Sequence, residues 1–233
     1  MPLIELKKIS RIYETGETTV RALQNIQLQL DAQAFISFVG PSGSGKTTLL
    51  NVIGCLDKPT EGEVVINGTQ VNGFNSREAA QFRGENIGFI FQNFNLLPVL
   101  TVFENIEYPL VMVQNVAEKE RRERVLRLLE AVGMLDQKDK FPSQVSGGQK
   151  QRIAVARALV TNPKLVLADE PTANLDSVSA HNVIELMRKM QHELKTTFIF
   201  STHDPKVVRE AEIVYTLEDG QITNRKNQAE AVN

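Results

Sequence analysis

A chain of 233 residues with 26 Lys and Arg against 28 Asp and Glu has a formal net charge of −2, which offers no global attraction to nucleic acid. With 42% hydrophobic and 23% charged residues it can bury a core as one unit with two lobes, and no apolar run approaches the roughly 18–20 residues of a membrane span. Met1–Glu5 lacks the charge pattern of a signal peptide, and the single cysteine, Cys55, excludes an internal disulfide and suits a reducing compartment.

In chain order, the alternation Ile26, Leu28, Leu30 predicts antiparallel strands near the N-terminus. The apolar run Phe35–Val39 predicts a central parallel strand, and Thr47–Cys55 a helix in which Cys55 packs in the core. Asn67-Gly68 is a hairpin signal between Val64–Ile66 and Thr69–Val71. Ile87–Phe91 reads as another strand; Gln92–Thr161 is then mainly helical, with a capping-box start at Thr101 and Glu104. Inside that stretch Lys119–Arg127 is a solvated helix face, since Glu120 and Glu123 interrupt the basic residues and Val125, Leu128, Leu129 and Val132 form the apolar side. Leu165–Ala168 and Thr197–Phe200 are further central strands, and the run from Val183 to Leu194 is helical. His181 and His192 on that helix lack carboxylate or cysteine partners for a metal and belong to its surface. Residues 224–233 form a polar tail expected to fray.

Chemistry enters at Gly40-Pro41-Ser42-Gly43-Ser44-Gly45-Lys46-Thr47-Thr48, which fits G-x-x-x-x-G-K-[ST] between a strand and a helix. Such a loop turns backbone N–H groups inward around β- and γ-phosphates, with Lys46 as a point charge, the helix dipole behind it and the Thr47 hydroxyl available to Mg²⁺. Taken alone, the loop specifies a nucleotide and leaves small-molecule kinases and GTPases open. Ser146-Gly147-Gly148-Gln149 opens a second helical stretch containing Ile153, Ala154, Ala156, Ala158 and Leu159. Ser146 with Gln149 is explained as an ordinary capping box. Two adjacent glycines, however, cost about 1 kcal/mol each relative to Ala in a helix, and they allow a ligand close to the helix N-terminus, which points to a second anion site.

Together these motifs resemble the ATP-binding cassette (ABC) ATPases, whose signature is similar to Val145-Ser146-Gly147-Gly148-Gln149 with Leu in place of Val145. Leu165-Val166-Leu167-Ala168-Asp169-Glu170 resembles the family's Walker B strand and Asn174-Leu175-Asp176 its D-loop, and the resemblance covers roughly residues 3–223. It implies an α/β P-loop NTPase fold with a mixed central sheet, an N-terminal antiparallel β subdomain and an inserted helical subdomain. Residues 1–92 and 162–223 would be the nucleotide-binding core and 93–161 the helical insertion. It further implies that Gly40–Thr48 hold ATP while Tyr13 stacks on adenine. Thr47, Gln92 and Asp169 would serve Mg²⁺, Glu170 would be the general base, and His203 would contact the γ-phosphate. Gln92 would also report nucleotide state and hinge the helical lobe. A second copy of the chain would supply Ser146–Gln149, with Asp176 crossing the homodimer interface.

The implied partner is an integral membrane permease subunit, met on the cytoplasmic face of the cell membrane; no nucleic acid is implied. Phe94, Leu96 and Leu97 either pack the helical lobe or offer apolar anchors to a short helix of that partner. Ile53-Gly54-Cys55-Leu56-Asp57-Lys58-Pro59-Thr60, Phe91-Gln92-Asn93-Phe94-Asn95-Leu96-Leu97 and Pro171-Thr172-Ala173-Asn174-Leu175-Asp176 resemble the lipoprotein-releasing and macrolide-efflux branch, with Ala173 where that branch often has Gly. A regulator of the cell-division type, using the same ATP cycle without transport, is the alternative. A soluble DNA-repair or translation protein fits less well, since those carry a coiled coil between the nucleotide motifs or two cassettes in tandem.

Overall fold

The computed structural model describes residues 2–16 and 18–228. Its elements run β1 (Ile4–Thr15), β2 (Thr18–Leu30), β3 (Phe35–Val39), α1 (Lys46–Ile53), β4 (Glu61–Ile66), β5 (Thr69–Gln70), α2 (Ser76–Asn86) and β6 (Ile87–Phe91). Then come α3 (Val102–Met112), α4 (Glu118–Ala131), α5 (Gly147–Leu159), β7 (Leu165–Asp169), α6 (Ser177–Leu194), β8 (Thr197–Ser201), α7 (Pro205–Val208), β9 (Ile213–Glu218) and β10 (Gln221–Asn227). Two compact units emerge, one of residues 1–80 with 199–233 and one of residues 81–198. The second unit is larger than the helical insertion expected at 93–161. It takes in β6, β7 and α6 because α5 lies tight on β6: a Cβ at Gly88 would sit 2.3 Å from the Ala158 carbonyl oxygen.

In the first unit β1 lies between β2 and β4, antiparallel to both, and β5 completes the sheet in the order β2-β1-β4-β5. Pairing Ile4 with Leu30, Leu6 with Leu28 and Ile9 with Ile26 gathers the alternating apolar residues on one buried face. The alternation fails at Lys7 and Lys8, where the register shifts and Lys8 takes φ 53°, so a bulge turns both lysines to the exposed side. Asn67 and Gly68 both have positive φ, 49° and 75°, as a two-residue hairpin turn requires. Beside this sheet in the chain's own order, β9 runs parallel to β3 and β10 antiparallel to β9.

Phe35–Val39 is the buried strand expected, and its Phe35 and Phe38 are fully buried. Helix α1 stops at Ile53; Cys55 follows at φ 53° and is half-buried, so it terminates the helix and does not extend the core. The expected polar tail is shorter than residues 224–233, since β10 continues to Asn227 with its side chains mostly exposed, held by backbone pairing to β9. Residues 229–233 lie outside the described residues.

In the second unit β6 and β7 are parallel and in register from Ile87 with Leu165 to Phe91 with Asp169. Thr101 caps α3 through the full capping box with Glu104. Helix α4 buries Val125, Leu128 and Leu129 and pairs Arg124 with Glu120 on its wet side, and α6 keeps His181 outside, 3.2 Å from Glu185.

Candidate functional site

The phosphate loop joins β3 to α1 in the first unit, and its glycines are dictated by neighbouring backbone. A Cβ on Gly40 (φ 149°) would sit 2.1 Å from the Leu217 carbonyl oxygen, and one on Gly45 (φ 100°) 2.5 Å from that of Ala22. Around this frame the loop wraps its own lysine. Lys46, only 9% exposed, donates to the carbonyls of Gly40 at 2.9 Å and Pro41 at 2.8 Å, and reaches Ser44 Oγ at 3.4 Å. An ammonium has three N–H donors, so the third rests on the weakest of these contacts. Pro41, Ser42, Gly43 and Thr47 are exposed, Ser44 is buried and Thr48 half-buried. Helix α1 begins with no side-chain cap hydrogen bond and no acidic residue in its first turn, an N-terminus whose dipole suits an anion.

Tyr13 of β1 belongs to the same unit and is held by two residues that sequence reasoning did not single out. Its hydroxyl donates to Asp57 Oδ2 at 2.6 Å, and the Arg11 guanidinium lies 4.4 Å from its ring centroid while forming a two-pronged ion pair with Asp57. The available signal was the spacing of Arg11 and Tyr13, which strand periodicity places on one face. His203, also of this unit, is exposed on the segment between β8 and α7.

In the second unit the parallel register of Phe91 with Asp169 sets Gln92 beside Asp169 and Glu170 at the carboxyl ends of β6 and β7. Glu170 has φ 48°, a left-handed conformation that a non-glycine residue adopts at a cost and that recurs at functional turns. Asn174 Nδ2 donates to the Gln92 carbonyl at 3.1 Å and to Asn93 Oδ1 at 3.0 Å, pinning the backbone where β6 ends. Amide and carboxylate oxygens together make a hard-oxygen set of the kind Mg²⁺ prefers. Among the described residues no group of three or more His, Cys, Asp or Glu could hold a metal by itself, so any ion here would need further oxygen ligands such as phosphate and hydroxyl.

Ser146 caps α5 through the expected reciprocal box: its Oγ accepts from Gln149 N at 3.3 Å, and Gln149 Oε1 accepts from Ser146 N at 2.9 Å. Gly148 has a packing reason of its own, since a Cβ there would lie 3.1 Å from Ser179 Oγ on α6. Asp176 caps α6, accepting from Val178 N at 3.1 Å, Ser179 N at 3.0 Å and Ser179 Oγ at 2.6 Å. The Ser179 hydroxyl first, then the amides, holds the Asp176 carboxyl below its ordinary pKa. A polar cleft of about 250 Å³ opens here, lined by Ser146, Gly148, Gln149, Arg152, Ser179 and Asn182 among others. Arg152, whose Nη1 reaches the Val132 carbonyl at 3.4 Å, brings a positive charge that the motif reading missed.

A separate groove of about 330 Å³ in the same unit is mainly apolar, with Phe89, Phe91, Leu97, Tyr108, Pro109 and Arg157 among its lining residues. Its lip is irregular backbone. Phe94 and Asn95 both have positive φ, 63° and 47°, and Arg157 donates to their carbonyls at 2.8 and 2.5 Å. Burial pushes the Arg157 pKa down from its ordinary value. Buried Asn105 accepts from Leu97 N at 2.8 Å and donates to the carbonyls of Leu97 at 3.1 Å and Leu100 at 3.0 Å. Leu97 is 37% exposed and faces the groove, whereas Phe94 and Leu96 are half-buried and lie outside its lining. The exposure of Leu97 favours the anchor reading at that position over packing alone.

A protein-family model described as ABC transporter matches residues 23–173. The uncharacterized ABC transporter ATP-binding protein MJ0796 of Methanocaldococcus jannaschii is 44% identical over 226 residues, covering 94% of this chain and 95% of that protein. The macrolide export ATP-binding/permease protein MacB of Syntrophobacter fumaroxidans is also 44% identical, over 95% of this chain but only 31% of its own length. Among solved structures, the dimeric post-hydrolysis state of MJ0796 bound to ADP and Pi superposes with a TM-score of 0.88 at 42% identity, over 97% of this chain and 98% of that one. The cbiO1 protein of Clostridium perfringens, part of the ABC transporter complex cbiONQ, gives 0.88 at 28% identity, over 99% and 90%.

Proposed function

Because the chain belongs to the ABC transporter family of ATP-binding proteins, we propose that it works as a head-to-tail pair in which ATP on Gly40–Thr48 of one copy is enclosed by Ser146–Gln149 of the other. It is an ATPase of the ATP-binding cassette fold, with a mixed sheet, an N-terminal antiparallel sheet and a helical insert. The observation that carries the two-copy reading is that one chain presents two anion-suited helix N-termini, α1 behind a glycine-built loop and α5 opening on a polar cleft. An isologous pair then makes two composite sites about one two-fold axis.

In this scheme the loop N–H groups and Lys46 bind the β- and γ-phosphates and Tyr13 stacks on adenine. Water attacks the γ-phosphorus, Glu170 takes the proton of that water, and ADP leaves with the bridging oxygen. His203 contacts the γ-phosphate, Gln92 relays nucleotide state to the helical insertion 93–161, and Asp176 links the two sites across the pair. Thr47, Gln92 and Asp169 would hold Mg²⁺, which would neutralise phosphate charge.

Hydrolysis is proposed to drive an integral membrane permease on the cytoplasmic face, where ATP is supplied. Among the described residues no helix is long and apolar enough to cross a membrane, and the Leu97 groove suits a short amphipathic helix laid in by its apolar side. Relatives named macrolide export ATP-binding/permease proteins, of which the chain spans about a third, favour the macrolide-efflux and lipoprotein-release branch.

The test is Glu170→Gln, which keeps the side chain's size and removes its charge. ATP should drive this variant into dimers on size-exclusion chromatography while phosphate release falls by roughly 10²–10⁴. Adding Ser146→Arg should return it to monomer. Gly148→Asp is a poorer probe, because its Cβ already meets Ser179. Hydrolysis at the parental rate would remove Glu170 from the scheme, and monomers at saturating ATP would remove the head-to-tail pair.

A further inference from the structure

We propose that Arg11 and Asp57 form a clamp that holds Tyr13 as a one-sided platform for the adenine base of ATP. The inference rests on the reading of Tyr13 as the base-stacking residue and adds what positions it. Arg11 meets Asp57 with both prongs, Nε to Oδ2 at 2.9 Å and Nη2 to Oδ1 at 2.8 Å, and the same Oδ2 accepts the Tyr13 hydroxyl at 2.6 Å. The guanidinium carbon sits over the ring, 4.4 Å from its centroid. One face of the ring is thereby covered by a cation, and the direction of the ring axis is set by the phenol hydrogen bond. In this reading the other face of the half-buried ring receives a flat neutral partner such as a purine.

A plain ion pair between β1 and the loop after α1 explains less. Anchoring that loop is already done by Thr60, whose N donates to Ser10 O at 2.8 Å and whose Oγ1 accepts from Ile12 N at 3.0 Å. The pair is also only partly buried, with Arg11 and Asp57 side chains 24% and 22% exposed, so its value as a stabilising contact is small. What it uniquely fixes is the tyrosine. Asp57 is itself set by α1, since its N donates to Asn51 O at 3.1 Å. The base platform is thus referenced to the same helix whose first residue is Lys46, which keeps the spacing between base and phosphate contacts constant.

The experiment uses the intact chain and two probes, ATP and inorganic tripolyphosphate, the latter lacking a base. Arg11→Met should weaken ATP about three- to tenfold, the scale of a cation–π contact and its ordering effect, and should leave tripolyphosphate within about twofold. Asp57→Asn should act in the same direction. In a Tyr13→Ala background Arg11→Met should have no further effect, because it acts through the ring. Equal losses for both probes, or an undiminished effect of Arg11→Met without the tyrosine, would overturn the clamp and leave an ordinary structural ion pair. If Tyr13→Ala itself binds ATP normally, the stacking reading fails and the clamp fails with it. If Tyr13→Ala loses ATP affinity and Arg11→Met does not, the clamp alone is wrong.

Discussion

The phosphate loop and the lip of the apolar groove are both short runs of irregular backbone, yet they are fixed by opposite means. Gly40–Thr48 is shaped by absence: side chains at Gly40 or Gly45 would strike carbonyl oxygens, so the loop keeps this path only with glycine at both positions. The run from Phe94 to Leu100 is fixed by presence, through struts from Arg157 and Asn105 that bond its carbonyls. A glycine-rich loop with one buried lysine suits recognition by backbone and charge. A strutted loop frees its own side chains, Leu97 and Val99, which are 37% and 79% exposed, to meet a partner.

Lys46→Ala breaks the first half of the comparison most severely. The lysine both charges the loop and bonds two of its carbonyls, so the variant should lose useful ATP affinity, a charge-assisted contact being worth about 1.5–3 kcal/mol. Titration with a fluorescent ATP analogue reads it. Affinity within twofold of the parent would mean that the backbone alone binds the phosphates.

On the lip the expected order reverses, with fold affected before ligand. Asn105→Ala strips buried bonds from Leu97 and Leu100 and should cost about 1–3 kcal/mol, seen as a lower Tm with ATP affinity unchanged. Loss of ATP binding without loss of stability would show that the lip and the phosphate loop are not independently determined. Leu97→Asp should be milder still for the isolated chain, lowering Tm by no more than a degree or two. Its effect should appear in weaker co-purification with the membrane partner. A large drop in Tm would return Leu97 to the core.

The same contrast governs what could be read before folding. The Asn67-Gly68 turn and both capping boxes are local, each decided by residues at most a few positions apart, and they stand where the pattern put them; the glycine-rich loop shows its motif locally, although Leu217 and Ala22 set the room for its glycines. What escaped is joined across distance: Arg11 with Asp57 spans 46 residues, and Arg157 with Asn95 spans 62. No periodicity signals such pairs. Strand β1 hid its pattern behind the bulge at Lys7 and Lys8, and β10 has almost no buried side chains, so neither shows clean alternation. Gly148 was explained by a ligand, and Ser179 on another helix adds a packing reason, since a Cβ there would crowd it. Asp176 was assigned to an interface, and its capping of α6 adds a second role that the sequence motif conceals.

That second role makes the smallest prediction and the one that separates Asp176 from the interface. Its carboxyl is held below the ordinary range, chiefly by the Ser179 hydroxyl and then by the backbone amides of Ser179 and Val178. A carboxylate with a depressed folded pKa adds stability that is fully present above the unfolded value of about 3.9 and is lost as pH falls through the lower folded value. Asp176→Asn keeps an oxygen for the amides and removes the charge that favours a helix N-terminus. Without nucleotide, the parent should therefore melt slightly above Asp176→Asn at pH 7, with a gap that holds down to about pH 5 and closes below about pH 4. The other carboxylates titrate in both proteins and cancel in the difference. Measured on the monomer fraction from size-exclusion chromatography, so that pairing of two copies does not enter, a gap that stays constant down to pH 2.5 would show that the charge of Asp176 does nothing for α6.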